Sequence, residues 1–287
     1  MRKESSTVPS SESREGKRQH IVEVCNVIDA GTSVLLYAQA REDFHAQTAM
    51  QTVIDFLREH GRPPMMTFDR DPRWVGSSSG RDVPSALRRL LLCLGIEPNV
   101  CPAHRPDKNA YVERYQKSYG QECLQVHRPG TLQEVREVTE TFMEHYNCQR
   151  PHQGRTCRNL PPRVAFSTLP TLPALPQTVD PDAWLQAIDG QIFVRKVGAD
   201  GCVNVDLAPY YVGQQVAGQY MALQVVASER MFVIWHGPTV LKTLPIKHLH
   251  GPPMPLEDYF ALMVQEALAE ERRLSASQRH FQQLALW

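Results

Sequence analysis

A change in hydrophobic periodicity divides this chain of 287 residues into two parts. Before a stretch of six prolines within residues 161–182, segments with apolar residues at helical spacing alternate with short β-rich runs. After that stretch, apolar residues recur at every second position, which is the spacing of half-buried strands. Because helices and strands need different periods, we predict an α/β domain followed by a small β-barrel, joined by an extended linker.

The composition is that of a chain with packed cores. Hydrophobic residues make up 42% of the sequence, and its length suits two domains of about 100–200 residues each. No apolar run reaches the roughly 18–20 residues of a membrane span, and residues 1–20 lack the apolar centre of a secretory signal. We therefore expect a cytoplasmic protein with no membrane partner, in which residues 1–20 are a flexible or truncated start.

Seven cysteines are scattered along the chain, and no Cys-x-x-Cys pair occurs. An odd and irregular set argues against a disulfide framework and against a zinc finger, and favours buried thiols in a reducing compartment. His145, Cys148, His152 and Cys157 lie close enough in sequence to be read as metal ligands. Since no regular ligand spacing repeats, we prefer packed cysteines beside loop histidines.

The first domain is predicted to span residues 21–166. A hairpin over 21–28 and 33–40 turns at Gly31 and leads into an amphipathic helix over 45–60. The pattern then predicts a strand at 65–68, a helix at 84–94, a strand at 96–101, a helix from after Asp107 to about Leu124, and a helix at 131–147. Strands that alternate with helices in this way are typical of an α/β layer fold.

The second domain is predicted at residues 191–250, after a proline-rich linker at 167–190. Residues 198–201 (Gly-Ala-Asp-Gly) form a tight turn between its first two strands. Short strands at such spacing indicate a small β-barrel. A last amphipathic helix is predicted within residues 255–287, where it could pack on the barrel or on another chain.

Two carboxylates lie at positions where α/β folds commonly have their active-site residues. Asp69 directly follows the strand at 65–68, at the edge where open sheets form their active sites. Glu113 lies on a polar stripe of the third helix together with Asn109 and Lys117. A strand-end aspartate and a facing glutamate can share Mg²⁺ or Mn²⁺, which prefer oxygen ligands. The pattern alone equally allows a solvated aspartate and a surface pair between Glu113 and Lys117.

Three motifs around these carboxylates make the chain resemble a known family. They are Thr67-Phe-Asp-Arg-Asp71, His104-Arg-Pro-Asp-Lys-Asn-Ala-Tyr-Val-Glu-Arg114, and Glu144-His-Tyr-Asn147 with Arg150-Pro151-His152. Over about residues 20–166 the chain resembles the retroviral-integrase-like catalytic core that bacterial insertion-sequence transposases with a three-carboxylate (DDE) site share. Residues 193–213 are similar to the small β-barrel that follows the core in Mu-type transposases.

The resemblance implies a fold and an activity. The fold would be a ribonuclease H-like mixed sheet with flanking helices, followed by a small SH3-like β-barrel. The activity would be metal-dependent DNA strand cleavage and transfer, with Asp69 and Glu113 as two of three ligands for Mg²⁺ or Mn²⁺. DNA, as transposon ends and target, and further copies of the chain are the implied partners.

Two departures from the family pattern concern the metal site. The chain between Asp69 and Glu113 is longer than usual, and an insertion at 76–80 absorbs the excess. Asp71 stands where the family usually has glycine, and it is a second choice as a ligand.

The third carboxylate of the family belongs on the first strand of the sheet. Asp29 falls instead at the tip of the first hairpin, where we interpret it as a turn residue, and the family position lies near Met1. We therefore expect the third ligand and a preceding helix-turn-helix to be missing. An N-terminally truncated transposase and a catalytically inactive remnant, which binds DNA or co-assembles with full-length transposase, are both open hypotheses. An unrelated α/β binding protein is a third.

The net charge of zero conceals local basic segments. Residues 145–163 hold four arginines and no acidic residue, and further cations flank Glu113. Clustered cations can meet phosphates and bind nucleic acid without regard to sequence, although any one of them is more often a solvated surface residue. The residues that we predict to contact DNA are Arg105, Lys108, Asn109, Arg114, Lys117 and Arg150.

Overall fold

A computed structural model describes residues 2–9, 19–43, 45–69, 71, 82–101, 110–154 and 156–284. Its strands and helices confirm the mixed α/β class, whereas the ribonuclease H-like and SH3-like details stay predictions. Tertiary contacts divide the chain into two compact units, which are Met1–Trp74 with Glu97–Leu175 and Val75–Ile96 with Pro176–Trp287. No described helix is long and apolar enough to cross a membrane.

The elements follow one another in the predicted order. The helices are α1 (Ala46–His60), α2 (Ala86–Cys93), α3 (Ala110–Ser118), α4 (Leu132–Cys148), α5 (Pro162–Ala165) and α6 (Leu256–Leu284). The strands are β1 (Arg2–Pro9), β2 (Gln19–Ile28), β3 (Leu35–Arg41), β4 (Met65–Phe68), β5 (Glu97–Val100), β6 (Thr178–Val179), β7 (Ile192–Lys196), β8 (Cys202–Val205), β9 (Ala208–Tyr211), β10 (Tyr220–Val226), β11 (Met231–His236), β12 (Thr239–Pro245) and β13 (Met254–Pro255).

The first unit contains a three-stranded antiparallel sheet in the order β1-β2-β3. Its first strand corrects one expectation, because residues 2–9 of the supposed flexible start pair along β2. The turn between β2 and β3 confirms the role expected of Asp29, whose carboxylate accepts hydrogen bonds from the backbone N–H and the hydroxyl of Thr32 at 2.7 and 2.8 Å. An aspartate that bonds to its own turn in this way stabilises the hairpin.

Strands β4 and β5 form a separate parallel pair in the first unit. Helix α1 precedes them and ends at Gly61, whose φ of 90° requires the conformational freedom of glycine. The described residues contain no ladder between this pair and the β1-β2-β3 sheet. Asp69 comes directly after β4, and Cys101 comes directly after β5.

Helix α3 is packed against β2 through aromatic side chains. Tyr115 and Tyr119 are fully buried, and they share a core with Val22 and Val24 of β2 and with Phe142 of α4. The helix continues beyond Ser118 through a π-helical segment, Tyr119–Leu124, and a last turn, Gln125–His127. It therefore runs three residues further than the periodicity predicts.

The second unit holds the predicted alternating strands. Strands β7, β10, β11 and β12 form an antiparallel sheet, and β8 pairs with β9. The side chains that point inward make a continuous apolar core, which includes Phe193, Val203, Val205, Tyr210, Met221, Leu223, Phe232 and Ile234.

Part of the predicted linker belongs to the folded second unit. Strand β6 pairs with β13, and the following 3₁₀ turn, Ala183–Ile188, buries Trp184 and Leu185. Between them, buried Asp182 accepts hydrogen bonds from the backbone N–H groups of His250 and Gly251 at 3.0 and 2.9 Å. The chain thus belongs to the folded second unit well before residue 190, since apolar and charged side chains both anchor it.

Candidate metal and DNA-binding site

Asp69 lies at the carboxyl end of β4, as its position after an apolar strand predicts. Its side chain is partly exposed, and its Oδ1 accepts a hydrogen bond from the backbone N–H of Asp71 at 3.1 Å. The backbone N–H of Cys101 donates to the carbonyl of Phe68 at 2.9 Å, which joins the ends of β4 and β5. Because parallel strands bring their carboxyl ends to one edge, Asp69 and Cys101 occupy neighbouring strand ends.

Glu113 projects from the first turn of α3. Val112 and Tyr115 on either side of it are buried in the first unit, whereas Glu113 is partly exposed. A carboxylate in the first turn is also favoured by the partial positive charge at a helix N-terminus. The burial pattern therefore holds α3 by its apolar face and leaves Glu113 at the border between core and solvent.

The pKa of the Cys101 thiol responds to the charge of both carboxylates. Cys101 is buried, and burial is the main cause that raises the pKa of its thiol. The negative charges of Asp69 and Glu113 both raise this pKa further, so both act on the same buried group. Asp69 and Glu113 therefore both lie within electrostatic range of one buried thiol. Sequence reasoning treated Cys101 only as one of several packed thiols and missed this position.

The donor set suits a hard cation that is shared with a substrate. Mg²⁺ commonly keeps several waters and takes only one or two protein carboxylates together with phosphate oxygens. Asp69 and Glu113 supply that number of carboxylates, and both are open to solvent in part. Among the described residues, no group of three or more His, Cys, Asp or Glu side chains could enclose an ion by itself.

The strand β1 offers no aspartate to complete a three-carboxylate set. Its sequence is Arg-Lys-Glu-Ser-Ser-Thr-Val-Pro, in which Glu4 is the one acidic residue and lies opposite Val24 in the ladder. The first aspartate in the whole chain is Asp29, and its carboxylate is engaged in the hairpin turn.

The residues predicted to contact DNA differ in their surroundings. Arg114 and Lys117 are exposed on α3 beside Glu113. Arg150 is engaged within the unit, because its Nε and Nη2 donate to the two carboxylate oxygens of Glu122 at 2.6 and 2.7 Å. This pair lowers the pKa of the Glu122 carboxyl and raises the pKa of Arg150. Arg105, Lys108 and Asn109 lie outside the described residues.

The third motif of the sequence stabilises the unit. Asn147 is buried, and its amide donates to the carbonyl of Leu35 and accepts from the N–H of Leu35, each at 2.9 Å. His152 is also buried, with its ring against Tyr146 and its Nδ1 bonded to the N–H of Gly154 at 3.3 Å. Cys157 donates instead to the carbonyl of Thr32. These side chains have separate partners, so the geometry does not assemble the histidine–cysteine ligand set that their spacing allowed.

Part of the chain is similar in sequence to known proteins. Residues 94–162 match the sequence model of the Integrase core domain. The chain is 33% identical over 128 residues to the "Insertion element IS407 uncharacterized 31.7 kDa protein" of Burkholderia multivorans, an alignment that covers 45% of this chain and 39% of that protein. It is 35% identical over 68 residues to the "Insertion element IS476 uncharacterized 39.2 kDa protein" of Xanthomonas euvesicatoria, which covers 24% of this chain and 19% of that protein.

The chain spans about two fifths of the first of these relatives and about one fifth of the second. A chain of the simian T-cell lymphotropic virus intasome in complex with the PP2A regulatory subunit B56 gamma aligns with 85% of this chain and 75% of its own, at a TM-score of 0.41 and 11% identity. Over part of its length the chain is thus similar to the Integrase core domain and to insertion-element proteins. The segment that matches the Integrase core domain contains Glu113 and Asn147.

Proposed function

We propose that this chain carries the core of a DNA transposase, which cleaves DNA and transfers the strand with the help of Mg²⁺ or Mn²⁺. One observation carries the proposal: Asp69 at the end of β4 and Glu113 in the first turn of α3 are partly exposed carboxylates, and both lie within electrostatic range of the buried Cys101. The match of residues 94–162 to the Integrase core domain supports it, because Glu113 lies within that segment. The names of the matched relatives, which are insertion-element proteins, point to the same substrate class.

The roles of the residues follow from their chemistry. Asp69 and Glu113 would hold the cation, which when bound activates a nucleophile and stabilises a leaving oxygen in phosphoryl transfer. Arg114 and Lys117 lie beside Glu113 on the exposed side of α3 and would hold the phosphate backbone. The partial exposure of both carboxylates leaves them accessible to a phosphate group.

The family fold is part of the same proposal. A ribonuclease H-like sheet would unite the β1-β2-β3 ladder with the parallel pair β4-β5, and an SH3-like barrel would be built from β7 to β12. Transposon ends, target DNA and further copies of the chain remain the proposed partners, and the cytoplasm remains the proposed location. The predicted domain limits, 21–166 and 191–250, remain a proposal about the family domains, and they differ from the two compact units, in which Val75–Ile96 groups with Pro176–Trp287.

A second function is favoured by the composition of β1. Because β1 contains no aspartate, the metal site can lack the third carboxylate that the family uses. Such a chain would bind DNA, or co-assemble with a full-length transposase, without cleaving DNA. Catalysis by this chemistry depends on positioning and charge stabilisation, so the loss of one ligand impairs cleavage more than binding.

Metal binding and DNA cleavage, measured on the same preparations, test both functions. We expect the chain to bind Mn²⁺ in calorimetric titrations. Asp69→Asn and Glu113→Gln should each lower the Mn²⁺ affinity at least about tenfold, since mutation of residues that merely hydrogen-bond to metal ligands already lowers metal affinity about 10–100-fold. Glu137→Gln, on the exposed face of α4, is the matched control and should bind like the wild type.

Incubation with labelled DNA and Mn²⁺ then separates the two functions. Cleavage that disappears in Asp69→Asn and Glu113→Gln supports an active transposase core. Mn²⁺ binding and DNA binding without cleavage support the inactive form. Equal Mn²⁺ affinity in the wild type and both variants contradicts the proposed site.

A further inference from the structure

The second unit contains a cavity of about 280 Å³ to which neither proposed function assigns a role. Its wall combines the turn at 205–208 between β8 and β9, residues 246–248 after β12, Trp184, and side chains of α2 and α6. Pockets that take small molecules commonly measure about 300–1,000 Å³. The cavity is therefore of a size that suits one small ring system.

The inner wall of the cavity is apolar and aromatic. Trp184, Tyr210 and Phe232 line it and are 4%, 3% and 2% exposed. The rings of Tyr210 and Phe232 meet edge to face, with their centroids 5.2 Å apart. The hydroxyl of Tyr210 already accepts a hydrogen bond from the backbone N–H of Lys247 at 2.9 Å. Such a wall favours a planar ligand whose faces are apolar, because contact removes apolar surface from water on both partners.

A buried charge lies in the same wall. Arg89 lines the cavity and is 4% exposed, and its Nη2 donates to Oε2 of Glu266 and to Oε1 of Glu270, each at 3.1 Å. Its Nε is also buried and has no hydrogen-bond acceptor within the described part of the chain. Because a buried donor without an acceptor is costly, a ligand that brings an acceptor to Nε gains a hydrogen bond that the protein does not supply.

Glu266 provides an acceptor beside this donor. It lines the cavity together with Arg89, and a carboxylate can accept several hydrogen bonds, so its bond with Arg89 leaves room for another. A donor beside an acceptor favours a ligand edge that carries an acceptor beside a donor. The Watson–Crick edge of every nucleobase has this arrangement, and it is accessible only when the base is unpaired.

Cations lie where the cavity opens to solvent. Lys247, His248 and Arg273 line the cavity and are exposed, whereas Asp206 is partly exposed. The Nζ of Lys247 lies 5.1 Å from the ring centroid of Tyr210, so this cation borders the aromatic wall. A phosphate group attached to a ring inside the cavity would therefore meet cations at the opening.

We propose that this cavity binds one unpaired nucleotide. The base lies against the aromatic wall with its Watson–Crick edge on Arg89 and Glu266, and the phosphate contacts Lys247 and Arg273. Since every base carries a suitable edge, the cavity accepts an unpaired base without regard to sequence. That the nucleotide belongs to a DNA strand rests on the proposed function, whereas the affinity of the cavity for a nucleotide does not.

Titration of the full chain with thymidine 5′-monophosphate and with thymidine tests the cavity. We expect both to bind in calorimetry, the monophosphate more tightly. The double variant Lys247→Ala with Arg273→Ala should lower the affinity for the monophosphate about tenfold and leave that for thymidine unchanged, because only phosphate contacts are lost. Lys196→Ala, exposed on β7 and outside the cavity, is the matched control.

Two results of these titrations would overturn the proposal. One is the absence of binding of either compound to the wild type. The other is an equal affinity for the monophosphate in the wild type and in the double variant.

A variant that fills the cavity tests the position of the base. Val83 is partly exposed and lines the cavity, so Val83→Phe should occupy part of its volume. It should lower the affinity for thymidine and for its monophosphate at least about tenfold. Val226→Phe, partly exposed on β10 and outside the cavity, is the control, and both variants are compared at a temperature where circular dichroism shows them folded. Wild-type affinities in folded Val83→Phe would contradict the proposed position.

Photo-crosslinking distinguishes a DNA strand from a free nucleotide. A single-stranded oligonucleotide that contains 5-iodouracil should crosslink to a peptide with Trp184, Tyr210 or Phe232, and the same oligonucleotide in a duplex should not, because its base is paired. Binding of the monophosphate without this crosslink would overturn the assignment to DNA. If the wild type binds no Mn²⁺, the proposed function fails, while the nucleotide titrations still decide the cavity.

Discussion

At the scale of single residues, the side-chain amide of Asn147 forms the hydrogen bonds that a neighbouring strand would otherwise offer to Leu35. It satisfies both polar groups of Leu35, and all of these atoms are buried. Asn147→Ala would leave the N–H and the carbonyl of Leu35 without partners, so we expect the free energy of unfolding to fall by about 2–4 kcal/mol. Urea denaturation followed by circular dichroism measures it.

Gln149→Ala provides the control for Asn147→Ala. Gln149 is exposed at the end of the same helix, and its replacement should change the free energy of unfolding by less than about 0.5 kcal/mol. Equal effects of the two substitutions would show that the bonds to Leu35 contribute nothing specific.

His152 makes stability depend on pH through its burial. Burial, and then the charges of Arg114 and Arg150, lower the pKa of His152 below its ordinary value. Near pH 6.5 the unfolded chain takes up a proton that the folded chain does not, so the free energy of unfolding falls as the pH drops toward the folded-state pKa. His152→Gln should remove this contribution.

Denaturation of the wild type and His152→Gln at about pH 7.5 and about pH 5.5 measures this effect. The loss of stability between the two pH values should be larger in the wild type than in the variant. Other titrating groups are common to both proteins and cancel in the comparison. A larger loss in the variant would mean that the pKa of His152 is raised by folding, opposite to our expectation.

Helix α3 has two separate tasks at the scale of the element. Tyr115 and Tyr119 hold it in the core, while Arg114 and Lys117 stay exposed. If these two cations contact phosphates, the double variant Arg114→Ala with Lys117→Ala should weaken DNA binding. It should also reduce the slope of log affinity against log salt by roughly 1–2, since each phosphate contact contributes about 0.9. Fluorescence anisotropy with a random duplex at several salt concentrations measures this slope.

Two arginines serve as comparisons in the same titration. Arg128 is exposed directly after the last turn, Gln125–His127, that continues α3, and Arg128→Ala should leave the slope unchanged. Arg150→Ala should lower stability rather than the slope, because Arg150 already forms a paired hydrogen bond with the carboxylate of Glu122. A slope that drops in Arg150→Ala and not in the double variant would reassign the DNA contact to the third motif.

The π-helical segment of α3 shows what periodicity could not predict at this scale. Apolar spacing predicts a helix that reaches Leu124, and the helix is found there. The wider turns at Tyr119–Leu124 leave no separate trace in that spacing. They depend on the packing of Tyr119 and Cys123 against β2 and α4, in which distant residues take part.

The attachment of the proline-rich stretch to the second unit depends on residues far apart in the chain. Arg230 lies 2.9 Å from Asp180 and 3.0 Å from Asp182, whose side chain is fully buried. Arg230→Ala would leave Asp182 with two backbone N–H donors and no cation. Because Arg230 and Asp180 are partly exposed, we expect a loss of about 1–3 kcal/mol in the free energy of unfolding.

Tryptophan fluorescence during guanidinium unfolding measures the effect of Arg230→Ala, since Trp184 lies in the same attached segment. Arg272→Ala, exposed on α6, is the control and should have little effect. A wild-type unfolding curve for Arg230→Ala would show that apolar contacts alone hold this segment.

The sequence by itself determined the order of the main helices and strands and the turn at Asp29, and it singled out Asp69 and Glu113 as candidate metal ligands. Periodicity, turn residues and motif spacing are local properties, and each can be read within one segment. The same local reading allowed Arg150 to be a DNA contact and made residues 167–190 a linker.

Only the tertiary structure decided which partners these residues have. Arg150 meets Glu122 across 28 positions of the chain, and Arg89 meets Glu270 across 181 positions. Contacts between such distant positions leave no periodic signal in either segment. The assignment of α2 to the C-terminal unit, and the effect of the Asp69 and Glu113 charges on the pKa of Cys101, therefore emerge only when the chain is folded.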